Sequence, residues 1–194
     1  MNALTTRQQG FIWLALALLM AATRGQHWGW FNPPSASWAV FFLGGILLGK
    51  ARYFFAYLLL AAGLDISLVN FKEGITQWCV SSAYWALLPA YGSLWLGGRL
   101  YRHWQQNNWN TLAVLVACGA VSTLVAYVWS GGGFYFASGR YAEPTLTGFA
   151  ERIAFYYPRH LSNLAIYTGL ATALYVIVTS ANKSSVDEGV EQRG

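Results

Sequence analysis

Six apolar runs, separated by short breaks, account for most of this chain. They are Phe11–Thr23, Ala36–Gly49, Tyr53–Val69, Thr76–Gly98, Trp109–Ser130 and His160–Ser180. A soluble fold of 194 residues leaves much of its chain facing water and has no interior large enough for all six. Lipid removes that difficulty. Only 10% of the residues carry a charge, against about a quarter in soluble domains. The expected fold class is therefore all-α: a polytopic membrane protein of six transmembrane helices, in one domain over 1–181, with a polar cytoplasmic tail over 182–194.

The runs also define their own limits. Joined into one helix, the second and third would be about 50 Å long, well beyond the ~30 Å hydrocarbon core of a bilayer. They are therefore two spans broken at Gly49-Lys-Ala-Arg52. The second is short, which points to an irregular span or one held among its neighbours instead of facing lipid. Pro33-Pro34 cannot lie inside a regular helix, though a proline suits a helix start. The fourth run is interrupted by Pro89, and Arg99–Asn108 reads as a basic, polar connector. Gly131–Gly133 reads as a flexible joint after the fifth span, followed by a long connector to Pro158. Within that connector, Leu146, Phe149, Ile153 and Tyr156 recur at helical spacing, which predicts a short amphipathic helix over Thr145–Tyr157 ended by Pro158. The first run, after Arg7 and with Ala21-Ala22 near its end, also has the form of a secretory signal, but five more runs follow it.

The basic residues give the orientation. With the N-terminus inside, Arg7, Lys50, Arg52, Arg99, Arg102, Lys183 and Arg193 lie inside, and Arg24, Lys72, Arg140, Arg152 and Arg159 outside. The short connectors favour both termini in the cytoplasm. The net charge of +5 is scattered over connectors with no Lys/Arg stripe, which argues against nucleic acid and for topology and headgroup contact. No P-loop, HExxH, CxxC or GxSxG is present, so the chain has no P-loop of its own for a nucleotide. In this orientation the long, aromatic-rich connectors, Arg24–Ser35, Asp65–Ile75 and Gly131–Arg159, all lie outside. They predict an outward-facing pocket closed by aromatic loops.

Several residues carry potential chemistry, each beside a plainer reading. Cys79, at the outer start of the fourth helix, is either a small buried hydrophobe or a thiolate favoured by the helix dipole and able to bind a soft or borderline metal. Cys118 is mid-span and structural, too far in depth from Cys79 for a disulfide. His27 is a metal or ligand contact, or an interfacial residue among Trp28, Trp30 and Phe31. Asp65 accepts hydrogen bonds from ligand amides, or is a cap at the interface. Tyr84 points well away from Cys79 around a helix and reads as packing. Arg152 clamps an anionic or amide oxygen, or faces water and headgroups. Ala17-xxx-Ala21 is a small-xxx-small pattern that lets a second helix approach closely.

Six helices in under 200 residues, the outer connectors and Ala17-xxx-Ala21 resemble the substrate-binding S-components of energy-coupling factor (ECF) vitamin transporters. The stretch Lys72-Glu-Gly-Ile-Thr-Gln-Trp-Cys-Val-Ser-Ser-Ala-Tyr-Trp, with the Arg-Gly-Gln-His-Trp-Gly-Trp loop, resembles the BtuM family of cobalamin transporters. The resemblance implies an inner-membrane protein that binds cobalamin from the periplasm and mediates its uptake. It implies Cys79 as the cobalt ligand and His27, Asp65, Tyr84 and Arg152 as corrin contacts. It also implies docking to an ECF energy-coupling module through Ala17 and Ala21, although members of this family are often solitary. Two other classes stay open: a membrane enzyme that removes the upper axial ligand of cobalamin (decyanation), and a non-transporting membrane assembly subunit.

Overall fold

The structure, a computed structural model, describes residues 4–24, 33–71, 82–106 and 110–191; for 68–71, 82 and 178–191 it describes the backbone alone. The described residues form six α-helices and one short 3-10 turn, with no strand. The helices are α1 (Thr6–Thr23), α2 (Ser37–Leu47), α3 (Ala51–Phe71), α4 (Leu87–Trp104), α5 (Asn110–Ala137) and α6 (Leu146–Glu191). The turn, Ser82–Ala86, leads directly into α4. The expected all-α class is what the chain adopts.

Each boundary has a local cause. Thr5 caps α1 through a capping box: its hydroxyl accepts the Gln8 N–H at 3.3 Å, and its own N–H donates to Gln8 Oε1 at 2.9 Å. At the end of α2, the N–H groups of Leu48 and Gly49 both reach the carbonyl of Gly44, and Gly49 takes a φ of 66°. That left-handed cap suits glycine alone, so the chain breaks where the sequence predicted, between two runs and not within one long helix. Pro89 is the third residue of α4, in the first turn, where its missing N–H leaves no bond unmade. Thr145 caps α6 by accepting the Gly148 N–H at 3.1 Å.

α2 is the centre of the bundle. It packs against α1, α3, α4 and α6, and nine of its eleven residues are buried. The short second run is thus held among its neighbours, one of the two alternatives read from its length. Its crossing with α4 is a near contact of backbones: a Cβ on Gly45 would collide with the Trp95 carbonyl, and one on Gly98 with the Phe42 carbonyl. Around this seam Phe41 stacks on Tyr91 at 4.1 Å between ring centroids, and Tyr57, Phe54 and Trp95 complete an aromatic core.

Three expectations give way. Gly131–Gly133 is no joint: α5 runs through it to Ala137, because the missing side chains admit neighbours. Phe149 comes to 3.2 Å from where a Cβ on Gly132 would stand, and Ala86 presses against Gly133. Arg99–Trp104 is helical and belongs to α4, so that connector is shorter than its polarity suggested. Pro158 does not end a helix. α6 continues through it to Glu191, although an interior proline removes one backbone hydrogen bond and its ring crowds the preceding turn. The connector between α5 and α6 is consequently only residues 138–145.

The helix ends sort into two faces. The starts of α2, α4 and α6 meet the ends of α1, α3 and α5 on one; the α2–α3 turn meets the start of α1 and the end of α4 on the other. Among the described residues, two helices are long and apolar enough to cross a bilayer: Asn110–Ala137 and the Leu146–Ile177 part of α6. The exterior is apolar well beyond those two. Leu59 on α3 is 74% exposed, Phe11 on α1 62% and Leu96 on α4 56%.

Candidate functional site

The strongest polar feature lies where α1 ends. Arg24 follows the last residue of α1, and its side chain turns inward, only 11% exposed. Its Nε and Nη2 donate to the two carboxylate oxygens of Asp65 at 2.6 and 2.7 Å, a bidentate pair that matches guanidinium to carboxylate. Nη1 donates to Ser37 Oγ at 2.7 Å and to the Tyr91 hydroxyl at 3.0 Å. Tyr84 donates to Asp65 Oδ2 at 3.0 Å. Five side chains from α1, α2, α3, the 3-10 turn and α4 are thus tied into one network.

Its electrostatics follow from burial. Desolvation disfavours the Arg24 charge, but hydrogen bonding and attraction to Asp65 and Tyr91 outweigh it and hold the guanidinium above its usual range. The pair is neutral overall, with the Asp65 oxygens occupied by three donors. Such a site orients and holds; it does not offer a free acid or base.

Position gives the network its interest. Arg24 is the described residue that precedes residues 25–32, and Tyr84 lies just after 72–81. His27 and Cys79 belong to those two segments and lie outside the described residues. Of the other residues read from sequence, Asp65 and Tyr84 come together in this network. Tyr84, which read as packing, makes a specific hydrogen bond.

Arg152 stands elsewhere, near the start of α6. Its guanidinium lies 5.5, 5.0 and 5.1 Å from the ring centroids of Tyr135, Tyr141 and Tyr156, a cation held among three aromatic faces. Tyr127 donates to the Arg152 carbonyl at 3.3 Å, and Tyr127 and Phe149 stack beneath. Trp38 of α2 packs against both this cluster and the main core, and stacks on His160 at 4.4 Å between centroids. Ala17 is buried within the chain's own core, while Ala21 is half-buried. Cys118 is half-buried and packed against the core, as its mid-span position suggested.

Sequence reasoning missed Arg24, Ser37 and Tyr91 as site residues. Arg24 counted only as a topological charge. The available signal was a basic and an acidic residue at the same predicted end of two apolar runs, where charges pair. Among the described residues no three His, Cys, Asp or Glu side chains converge to hold a metal ion. No protein-family model matches the chain, and no curated protein matches it.

Proposed function

We propose that this chain is a six-span membrane transporter subunit that takes up cobalamin from the periplasmic side, with the Cys79 thiolate ligating cobalt. The observation that carries this reading is the Arg24–Asp65–Tyr84 network. It brings together, at one end of the bundle, the described residues that border both segments bearing His27 and Cys79. The many large apolar side chains exposed on α1, α3, α4, α5 and α6 support the six-span reading, since lipid would cover them where water would not.

On this reading cobalamin approaches the outer mouth, Cys79 displaces the ligand on one cobalt face, and the aromatic loops close over the corrin. Asp65 accepts from corrin amides when its own partners yield. Arg152, with its tyrosines, forms part of the wall at the α5–α6 end. The chain has no P-loop, so the energy for release comes from an ECF-type partner docked beside the half-buried Ala21, Ala17 being taken up by the chain's own core, or from trapping of the vitamin downstream.

The deciding experiment is the ultraviolet–visible spectrum of detergent-purified protein expressed with cobalamin. A corrin band shifted from that of free cobalamin, and reverting in Cys79→Ala, is the expected result. A colourless protein that takes up no added cobalamin ends this reading.

A further inference from the structure

At the opposite end of the bundle, cations gather with no acidic partner among the described side chains. Arg7, Lys50, Arg52, Arg99 and Arg102 all lie there. The acidic side chains that the structure describes, Asp65, Glu143 and Glu151, all lie at the other end. Three of these cations gather around one turn. Lys50 Nζ donates to Gln9 Oε1 at 3.2 Å, and the Tyr53 hydroxyl donates to the same oxygen at 3.3 Å. Arg52 Nη2 donates to the Tyr53 hydroxyl at 2.9 Å, with its guanidinium 4.7 Å over the Tyr53 ring. Arg102, from the last turn of α4, brings Nη1 to 3.1 Å from where a Cβ on Gly49 would stand.

Gln9 and Tyr53 thus position Lys50 and Arg52 with neutral oxygens, and no described carboxylate answers the three cations. Cations gathered at one turn repel, and the repulsion is only partly screened at physiological salt. An anion between them relieves it. The surroundings say which kind. Phe11 and Phe55, early in α1 and α3, are 62% and 55% exposed, and Leu100 and Trp104, late in α4, are 41% and 54% exposed. An apolar wall therefore continues from the cationic turn along the helices. A soluble phosphate compound uses only the cations. A molecule with a phosphate above acyl chains uses both.

We propose that Lys50, Arg52 and Arg102 form a binding surface for the phosphodiester of an anionic phospholipid, with its acyl chains lying against the apolar wall beside Phe11, Phe55 and Leu100. The cations and the diester oxygens form charge-assisted hydrogen bonds, and Trp104 sits at headgroup depth. This rests on the membrane part of the reading above and is independent of cobalamin.

The test is a titration of the detergent-purified protein with phosphatidylglycerol and, separately, with phosphatidylcholine of the same acyl chains, read by native mass spectrometry and thermal midpoint. Phosphatidylglycerol is expected to bind about tenfold or more tighter, and Lys50→Gln, Arg52→Gln and Arg102→Gln each to weaken it about fivefold, with phosphatidylcholine unaffected. Arg52→Lys retains most of the preference, and Arg140→Gln, at the other end, retains all of it. Equal affinity for the two lipids, or a triple Gln variant with its preference intact, overturns the proposal. So does competition by inorganic phosphate as effective as that by the lipid. Flotation after reconstitution separates the two readings: a protein that floats with vesicles of either lipid but shows no preference in the titration sinks only this inference, whereas one that floats with neither and stays soluble without detergent sinks the membrane reading itself.

Discussion

Arg24 and Asp65, forty-one residues apart in sequence, grip each other through two parallel hydrogen bonds of 2.6 and 2.7 Å at the point where α1 ends. No other ion pair is found among the described residues. The pair draws α1 and α3 together, while Ser37 and Tyr91 extend the grip to α2 and α4. Removing one partner strands the other charge in a largely dry place. Because Asp65 keeps 26% exposure, the loss is smaller than for a fully buried pair, about 2 kcal/mol for either Asp65→Asn or Arg24→Gln. The double variant recovers part of that loss. A thermal double-mutant cycle in detergent measures the coupling, and strictly additive losses would show that the two residues act separately.

The α2–α4 seam depends on missing side chains. Gly45→Ala and Gly98→Ala each drive a methyl group into a backbone carbonyl of the facing helix, which neither helix can yield without separating. Each is expected to destabilise by about 3 kcal/mol or to abolish folding. Gly63 faces nothing within 4 Å, so Gly63→Ala serves as the opposite case and stabilises by about 0.5–1 kcal/mol through helix propensity. Melting of the purified variants distinguishes the two signs. Wild-type stability in both seam variants would mean that the helices do not approach this closely.

These two results show what the sequence could convey. Apolar periodicity and run length revealed the helical class and the break at Gly49, because both follow from local rules of chain geometry, while the enclosure of α2 was one of two alternatives that its short length left open. Gly131–Gly133 and Pro158 misled, because local propensity is overridden when neighbouring side chains, here Phe149 and Ala86, fill the space that glycine leaves. The partnership of Arg24 with Asp65 is a relation between distant positions, and no single window contains it. Asp65 and Tyr84 were legible as candidates by type and place, but not as partners. Cys79, the proposed cobalt ligand, and His27, a proposed corrin contact, fall outside the described residues.

Tyr84 offers a narrower probe of the network. Its hydroxyl is the third donor to Asp65, and Tyr84→Phe removes that bond while keeping the ring. The expected loss is about 1 kcal/mol of stability, with Arg24 still satisfying Asp65. On the proposed function the same variant weakens cobalamin retention more than Tyr91→Phe does, because Tyr84 directly follows the segment that contains Cys79. Equilibrium binding of cobalamin by the two variants checks this. Equal effects would place Tyr84 in the scaffold alone.

The Arg152 cluster makes a prediction about shape as well as charge. Three tyrosine faces surround one guanidinium, and the rings come from α5, the 138–145 connector and α6. Each face attracts the cation through its quadrupole, and the planar guanidinium can lie along more than one ring at once. Arg152→Gln abolishes that attraction and is expected to cost about 1–2 kcal/mol, felt mainly as loosening of the connector. Arg152→Lys keeps the charge but loses the plane, and falls between. Hydrogen exchange of residues 138–145 is the sensitive readout: the connector should exchange fastest in Arg152→Gln, at an intermediate rate in Arg152→Lys and slowest in the wild type. If Arg152→Lys matches the wild type, charge alone is sufficient there. If Arg152→Gln also matches it, the tyrosines pack without help from the cation, and Arg152 is left free to serve a ligand.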